Sequence, residues 1–468
     1  MVTTDANQWA EETFKEAELG DPRRKKRLIK LASDIAANYG ESVVKASEDS
    51  ASIEGAYRFI RNPSITAEDI ALAGFKTTDK QVKQTPLVLS LQDSTGLSYR
   101  HSIREELGSV SSANSNKKAP KGRSLFVHST LMLNADTEQV MGLANQHYWY
   151  REQKVTGTKR QQQNRTIKDK ESYKWQRNIE QLTTRLGSLD NVIDVCDREA
   201  DMYEYLDYQV THGNRFVVRL NEDRRLLSSK DKLSDALSRL ESCGHYSVKI
   251  MQKGGRKSRQ AKMALSYTQV ELKKPRNAKG SAGIRINVIQ CQEVGPDDSQ
   301  EKLCWKLYTS EAIESLDDAR KIVRYYELRW RIEEFHKVWK SDGTQVESLR
   351  MQKRDNLKRI AVILAFVAVR LYQMRDIVQN NKAAKNESCQ NYLSPISWKV
   401  LWKATEKSKS LPDKAPSLYW AYYAIAKLGK WHDSKRNGRV GIPAFWKGWI
   451  KLGDLIESYE MFKGIDLE

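Results

Sequence analysis

The chain has 468 residues, 39% of them hydrophobic and 30% charged, which excludes a disordered chain and leaves room for about two to four domains with cores of their own. Lysine and arginine number 79 against 60 aspartate and glutamate, a net charge of +19 with a pI near 9.4. A polyanion is therefore the expected partner, nucleic acid ahead of an acidic membrane surface. The longest apolar run, 360–369, is too short to span a bilayer and is flanked by Arg359 and Arg370, so no membrane partner is expected.

The opening MVTTDANQWAEETF lacks a basic stretch followed by an apolar one, so no secretory signal is expected. Cys196, Cys243, Cys291, Cys304 and Cys389 are odd in number, scattered and without metal-ligand spacing. A reduced, cytoplasmic chain without structural zinc follows. The seven histidines are scattered too, which argues against a histidine-built metal site.

Residues 1–75 have the pattern of helices. In LGDPRRKKRLIKLASDIAANYG, Asp21 is an N-cap, Pro22 the first helical residue and Gly40 a stop. Arg23, Arg24, Lys25, Lys26, Arg27 and Lys30 crowd the first two turns, against the helix dipole. That arrangement fits a phosphate partner or a merely solubilising basic face. A second helix ends in EGAYRFIRNP with Arg58 and Arg61.

From residue 76 the pattern changes to strands. LVLSLQD (87–93) is a short apolar run that stops on Asp93, followed by a polar loop and the strands SLFVHSTLML (124–133) and VMGLANQHYWY (140–150). Residues 151–170 form a basic, exposed loop. A helix over 170–186 precedes NVIDVCD (191–197), a second apolar run that stops on an aspartate, Asp197. A helix from about Glu199 and the strand RFVVRL (215–220), with Arg219, complete a pattern of three strands followed by interleaved helices and strands. The expected fold class is α/β with a ribonuclease H-like catalytic core over 76–375, flanked by helical domains at 1–75 and 376–468.

Between 223 and 310, four segments alternate apolar with polar residues and are joined by the basic turns KGGRKSRQAK and KKPRNAKGSAG, as in an inserted β-subdomain. Such turns are either solubilising tips or contacts for a phosphate backbone. Trp305 lies in the last of these strands, where alternation alone favours a buried strand residue.

The stretch 326–340, YELRWRIEEFHKVWK, follows. At about 100° per residue, Tyr326, Arg329, Glu333 and Lys340 form one polar stripe, while Leu328, Ile332, Phe335 and Trp339 form the packing face. Glu334 lies about 100° from Glu333, which selects Glu333 as the carboxylate on the stripe. By itself such a stripe is most simply a solvated face with charge pairs. Two strand-end aspartates change that balance, since a third carboxylate on a nearby helix suits divalent metal ions and phosphoryl transfer. A helix at 357–378, apolar nearly all round, packs behind the core. A linker at 380–394 leads to a C-terminal helical pair (417–431 and 445–462) dense in Trp and Tyr, either a small core or an interface.

With these residues in hand, the chain resembles the DDE-type cut-and-paste DNA transposases of bacterial insertion sequences, in the subgroup with the Y-(2)-R-(3)-E-(6)-K signature. Here that signature is Tyr326, Arg329, Glu333 and Lys340. LGDPRR, EGAYRFIRNP, QDSTGLSYRH, VCDREAD, FVVR, WRIEEFHK and DSKR match in the same order along nearly the whole chain. A lone CDREAD would say little, since capping of the following helix would account for Asp197 equally well.

The resemblance implies that Asp93, Asp197 and Glu333 are catalytic carboxylates that bind Mg²⁺, with Mn²⁺ able to substitute. It implies that Tyr326, Arg329, His336, Lys337, Lys340 and Arg219 hold transposon-end DNA, that Trp305 stacks a flipped base, and that Arg23, Arg24, Arg27, Arg58 and Arg61 belong to end recognition. Double-stranded DNA, both element ends and target, and a second copy of the chain in the synaptic complex are the implied partners. SDGTQVESLRMQKRDN, after Lys340, carries one residue more than the family pattern. Two other readings share these features: a ribonuclease H-fold nuclease or resolvase without strand transfer, and an inactive end-binding repressor.

Overall fold

The computed structural model describes residues 5–38, 40–109, 123–151, 166–250, 259–295, 302–379, 382–406, 408–434 and 440–463. Most of the polar loop after β1, most of the basic 151–170 loop, the first part of KGGRKSRQAK and the Lys435–Arg436 half of DSKR lie outside the described residues. Five helices come first: α1 (Ala6–Phe14), α2 (Pro22–Ala37), α3 (Val43–Ala46), α4 (Ser50–Arg61) and α5 (Ala67–Gln84). Asp21 caps α2 by accepting from the Arg23 N–H, with Pro22 at the first helical position, as expected from the sequence. Helix α5 starts in a Thr66/Asp69 capping box and runs past residue 75 to Gln84, so the helical part of the chain reaches almost to the first strand.

Strands β1 (Val88–Tyr99), β2 (Gly108–Ser109), β3 (Arg123–Asn134) and β4 (Val140–Trp149) pair antiparallel. After helix α6 (Tyr173–Leu186), β5 (Val192–Cys196) returns parallel to β1. A short 3₁₀ turn (Arg198–Ala200) and helix α7 (Tyr203–Thr211) lead to β6 (Arg215–Arg219), parallel to β5. The helix expected from about Glu199 is thus a 3₁₀ turn followed by a helix from Tyr203. β5 is buried along its whole length, which is why its sequence does not alternate.

The segment after β6 holds α8 (Leu233–Ser238), β7 (Gly244–Ile250), β8 (Arg259–Lys273), β9 (Gly283–Val294) and β10 (Cys304–Thr309). β10 pairs antiparallel with both β9 and β6. The insert therefore widens the core sheet, giving the path β2-β3-β1-β5-β6-β10-β9-β8-β7 with β4 on β3. Asp201, the last residue of VCDREAD, fixes the exit into this insert. Its buried carboxylate accepts the Asn221 and Glu222 N–H groups, both at 2.7 Å, and the Arg224 guanidinium at 2.6 Å.

Helices α9 (Leu316–Leu328) and α10 (Trp330–Lys337) meet at Arg329, and α10 runs into a π turn at Val338–Asp342. The expected single helix is thus broken at one end and widened at the other. A π turn accommodates one residue more than an α turn, and this one lies beside the stretch with the extra residue. Helix α11 (Arg354–Gln379) is buried nearly all round. Its Arg359 donates to the Ile60 carbonyl at 3.0 Å and its Arg370 to the Ala36 carbonyl at 3.2 Å. Two buried guanidiniums thereby satisfy carbonyls at the C-terminal ends of α4 and α2 and tie the N-terminal helices to the core.

The expected linker is packed down through buried Ala384, Cys389 and Leu393. Helices α12 (Pro395–Thr405), α13 (Leu418–Leu428) and α14 (Ile442–Phe462) follow. α13 and α14 touch backbone to backbone at Gly429 and Gly448. A Cβ on Gly448 would stand 1.7 Å from the Ile425 carbonyl oxygen, so only glycine allows the crossing.

Candidate active site

The site begins with strand register. β1 and β5 pair in parallel up to Leu91 opposite Val195. Asp93 and Asp197 each lie two residues further on, at matching positions, and strand periodicity puts them on the same face. Asp93 accepts its neighbour Ser94's N–H at 2.9 Å. Asp197 accepts the Glu199 N–H at 2.9 Å and caps the 3₁₀ turn, so the capping role is real and uses one oxygen of the carboxylate.

Their electrostatics differ. Burial alone pushes the Asp93 carboxyl up, but His336, Arg329 and the Ser94 N–H together hold it below the ordinary aspartate range. Burial raises the Asp197 carboxyl, and the negative charge of Asp93 adds to the effect, so it ends above that range. Two carboxylates that destabilise one another are a place where a cation would relieve repulsion.

Glu333 stands on α10, whose residues Ile332 and Phe335 are fully buried together with Trp339 of the π turn. The packing face expected from periodicity is therefore the real one. Glu333 forms an ion pair with Arg329 one turn earlier. Glu334 points elsewhere: it accepts from the Tyr372 hydroxyl at 2.6 Å and from Arg375 at 3.2 Å, bracing α10 on α11.

Around Glu333 the aromatic and cationic residues divide into two groups. Tyr326 is buried, with the Arg219 and Arg329 guanidiniums 6.0 and 5.9 Å from its ring centre and Trp305 edge-on at 6.2 Å. Trp305 is half-buried, packed on the margin of the hydrophobic core beside Tyr326. On the other side, His336 is only 5% exposed and its Nδ1 lies 3.7 Å from Asp93. Lys337 is exposed. Lys340 donates to the Gly96 carbonyl at 2.7 Å and pairs with Glu347 at 3.4 Å.

The structure thus brings Asp93, Asp197, Glu333, Arg219, Trp305, Tyr326, Arg329, His336 and Lys340 into one region. Arg23, Arg24, Arg27, Arg58 and Arg61 lie instead on α2 and α4. Arg23 pairs with Asp21, Arg24 donates to the Leu19 carbonyl at 2.9 Å, Arg58 pairs with Glu54, and Arg61 stacks on Tyr57. Sequence reasoning missed Glu347. It lies in a short 3₁₀ turn (Val346–Ser348), and nothing in its local pattern announces that its carboxylate meets both Lys340 and the Ser98 N–H, the latter at 2.8 Å.

Three carboxylates without histidine or thiolate form a hard-oxygen donor set suited to Mg²⁺. Among the described residues no three such side chains are gathered closely enough to hold an ion as they stand. Their present partners account for this: Glu333 faces Arg329 and Asp93 faces His336. The donor set fits, with Glu333 having to exchange its partner.

The strand expected to stop on Asp93 runs on to Tyr99, because its pairing with β3 continues through Tyr99 opposite Arg123, so only Asp197 lies at a strand end. Carboxylates at matching positions on adjoining parallel strands, a third on a packed helix, and a surround of arginine, lysine and aromatic rings are the equipment of an enzyme that works on nucleic acid. The chain belongs to the transposase DDE domain family, whose match covers residues 136–370, just over half of its length. Residues 6–65 match the family described as transposase DNA-binding. The first match includes Asp197 and Glu333 and begins after Asp93. A cryo-EM structure of the piggyBac transposase synaptic complex with hairpin DNA aligns with 100% of this chain and 74% of its own, at 10% identity and a TM-score of 0.34. At that score the likeness carries no argument about this chain.

Proposed function

We propose that this protein is a cut-and-paste DNA transposase of a bacterial insertion sequence, acting in the cytoplasm on the DNA that carries its element. On this reading residues 76–375 form a ribonuclease H-like core, the helices before it bind the terminal inverted repeats, and 376–468 join two copies in the synaptic complex. The β4-β3-β1-β5-β6 order, with three antiparallel strands followed by two parallel to β1, supports the core assignment.

One observation carries the proposal. In a chain of the DDE family, Asp93 within β1 and Asp197 just past the end of β5 stand at matching positions on neighbouring parallel strands, and the helix bearing Glu333 packs on β1. These three carboxylates would hold Mg²⁺, with Mn²⁺ able to replace it. When bound, divalent ions activate the attacking oxygen and stabilise the leaving one in an in-line displacement at phosphorus.

The chain's own residues do the rest. Arg219, Arg329, Lys337 and Lys340 offer cations to the phosphates flanking the scissile bond, with Tyr326 beside them and His336 packed on Asp93. Trp305, half-buried at the edge of Tyr326, offers its ring to a base turned out of the duplex, a contact worth about 1–3 kcal/mol. Water cuts one strand, the released 3′-hydroxyl attacks the other to give a hairpin, and after hairpin opening the 3′-ends join target DNA. Alanine at Asp93, Asp197 or Glu333 is expected to abolish cleavage while preserving end binding in a mobility-shift assay. Normal cleavage by any of these variants removes that residue from the chemistry. A joined product separates a transposase from a nuclease of the same core, and Mg²⁺-dependent cleavage separates both from a repressor.

A further inference from the structure

On the face of the sheet opposite Asp93, a buried polar chain crosses β5, β1 and β3. Asp194 of β5 lies fully in the interior, two strand positions before Cys196, and five donors converge on it. Its Oδ1 accepts from Gln92 Nε2 at 2.7 Å and Ser90 Oγ at 3.1 Å, and its Oδ2 from Cys196 Sγ at 3.1 Å, Gln209 Nε2 at 3.4 Å and the Tyr205 hydroxyl. A lone buried carboxylate would be costly, and this number of donors marks a built feature.

The chain has a direction. Because the Gln92 amide nitrogen is committed to Asp194, its oxygen is left to accept from His128 Nε2, 2.8 Å away. That bond requires the proton on Nε2, so Nδ1 is the acceptor and takes the Ser94 hydroxyl proton at 2.9 Å. Burial holds the His128 ring well below its ordinary pKa and therefore neutral, as this pattern requires. Trp175 packs edge-on against the ring at 4.6 Å and fixes its plane. The end of the chain, residue 94, gives its backbone N–H to Asp93 at 2.9 Å.

We infer that His128 is a positioning residue: through Ser94 it fixes the Asp93 carboxylate in register with Asp197, and Asp194 and Gln92 fix His128 in turn. The inference rests on the proposed role of Asp93. It gives a purpose to polar side chains at interior strand positions where apolar ones would otherwise be expected, since one network joins the two strands that carry the aspartates. It also places the orienting groups on the far side of the sheet, away from any DNA.

The test uses the full chain bound to a duplex of its inverted repeat, with Mn²⁺ binding followed by electron paramagnetic resonance. Ser94→Ala, which cuts the link and leaves the interior intact, is expected to weaken Mn²⁺ binding about fivefold, the net worth of one hydrogen bond. Ser94→Thr, which keeps the hydroxyl, is expected to restore it, and end affinity should be unchanged in both. In ¹⁵N-histidine spectra the wild-type His128 should show the Nε2–H tautomer. In a His128→Phe background Ser94→Ala should have no added effect. Wild-type Mn²⁺ binding by Ser94→Ala, or equal losses in the alanine and threonine variants, overturns the inference. Asp93→Asn is the control for the reading beneath it: if that variant binds Mn²⁺ and cleaves as the wild type does, the role of Asp93 fails first.

Discussion

Removing the charge of Glu347 should tighten DNA binding. In the DNA-free chain its carboxylate lies 3.4 Å from the Lys340 ammonium and accepts the Ser98 N–H at 2.8 Å, where a DNA phosphate would compete for the same lysine. At that separation two unit charges attract by about 1 kcal/mol at the permittivity of water and about 5 kcal/mol at an effective value of 20. The two side chains are 28% and 29% exposed, so solvent screening sets the net value near the lower figure, about 1 kcal/mol. Glu347→Gln removes the charge yet leaves an oxygen for the Ser98 N–H. End affinity in a mobility-shift titration is therefore expected to rise roughly fivefold at low salt. The advantage should shrink as salt rises, and the salt slope should steepen by about 0.9, as for one more available cation. In a Lys340→Gln background the gain should vanish. An equal gain in that background would make the effect one of overall charge and refute the pairing argument, as would unchanged affinity in the single variant.

Other predictions follow from the same geometry. Asp197 has its carboxyl raised by burial and by Asp93, so above its folded pKa the ionised form costs stability, a cost removed as pH falls through that pKa. Asp197→Asn should therefore raise the melting temperature at pH 7, abolish cleavage, and lose its stability advantage in acid. A lower melting temperature at pH 7 contradicts the sign. Gly448→Ala should separate α13 from α14, because the new Cβ would lie 1.7 Å from a carbonyl oxygen, at a cost of about 1–3 kcal/mol. Gly453→Ala, in the same helix with open space around it, should be neutral or stabilising by up to about 1 kcal/mol. Hydrogen exchange of α13 and α14 compares the pair, and similar profiles would sink the close-crossing argument. Trp305→Ala should slow hairpin formation more than the first nick in a single-turnover time course; equal slowing of both steps counts against base stacking.

Much of the site was legible because it obeys short-range rules. The apolar run that stops on Asp197 marks a strand end, whereas the one that stops on Asp93 does not, since β1 continues through polar residues to Tyr99 by pairing with β3; helical periodicity selected Glu333 over Glu334, which indeed braces Tyr372 and Arg375. Less legible was anything decided by pairing across the chain. The insert joins the core sheet through β10 and β6, which no local alternation reveals. The break at Arg329 and the π turn interrupt an unbroken helical pattern, because tertiary contacts set the backbone hydrogen bonds there. Ser90, Gln92 and Asp194 look like polar interruptions in strands until β1, β5 and α7 are brought together. The Gly429 and Gly448 crossing is likewise invisible in either helix alone, since each glycine is explained by the other's backbone.

The central claim is that Asp93, Asp197 and Glu333 together cut and join DNA. The most direct measurement is a cleavage and joining assay with Mg²⁺, a labelled duplex carrying the flanking inverted repeats and a supercoiled target, run for the wild type and Glu333→Ala. Hairpin and strand-transfer products from the wild type alone are the predicted result. Specific end binding with no Mg²⁺-dependent product from the wild type, or joined products from both proteins, would contradict it.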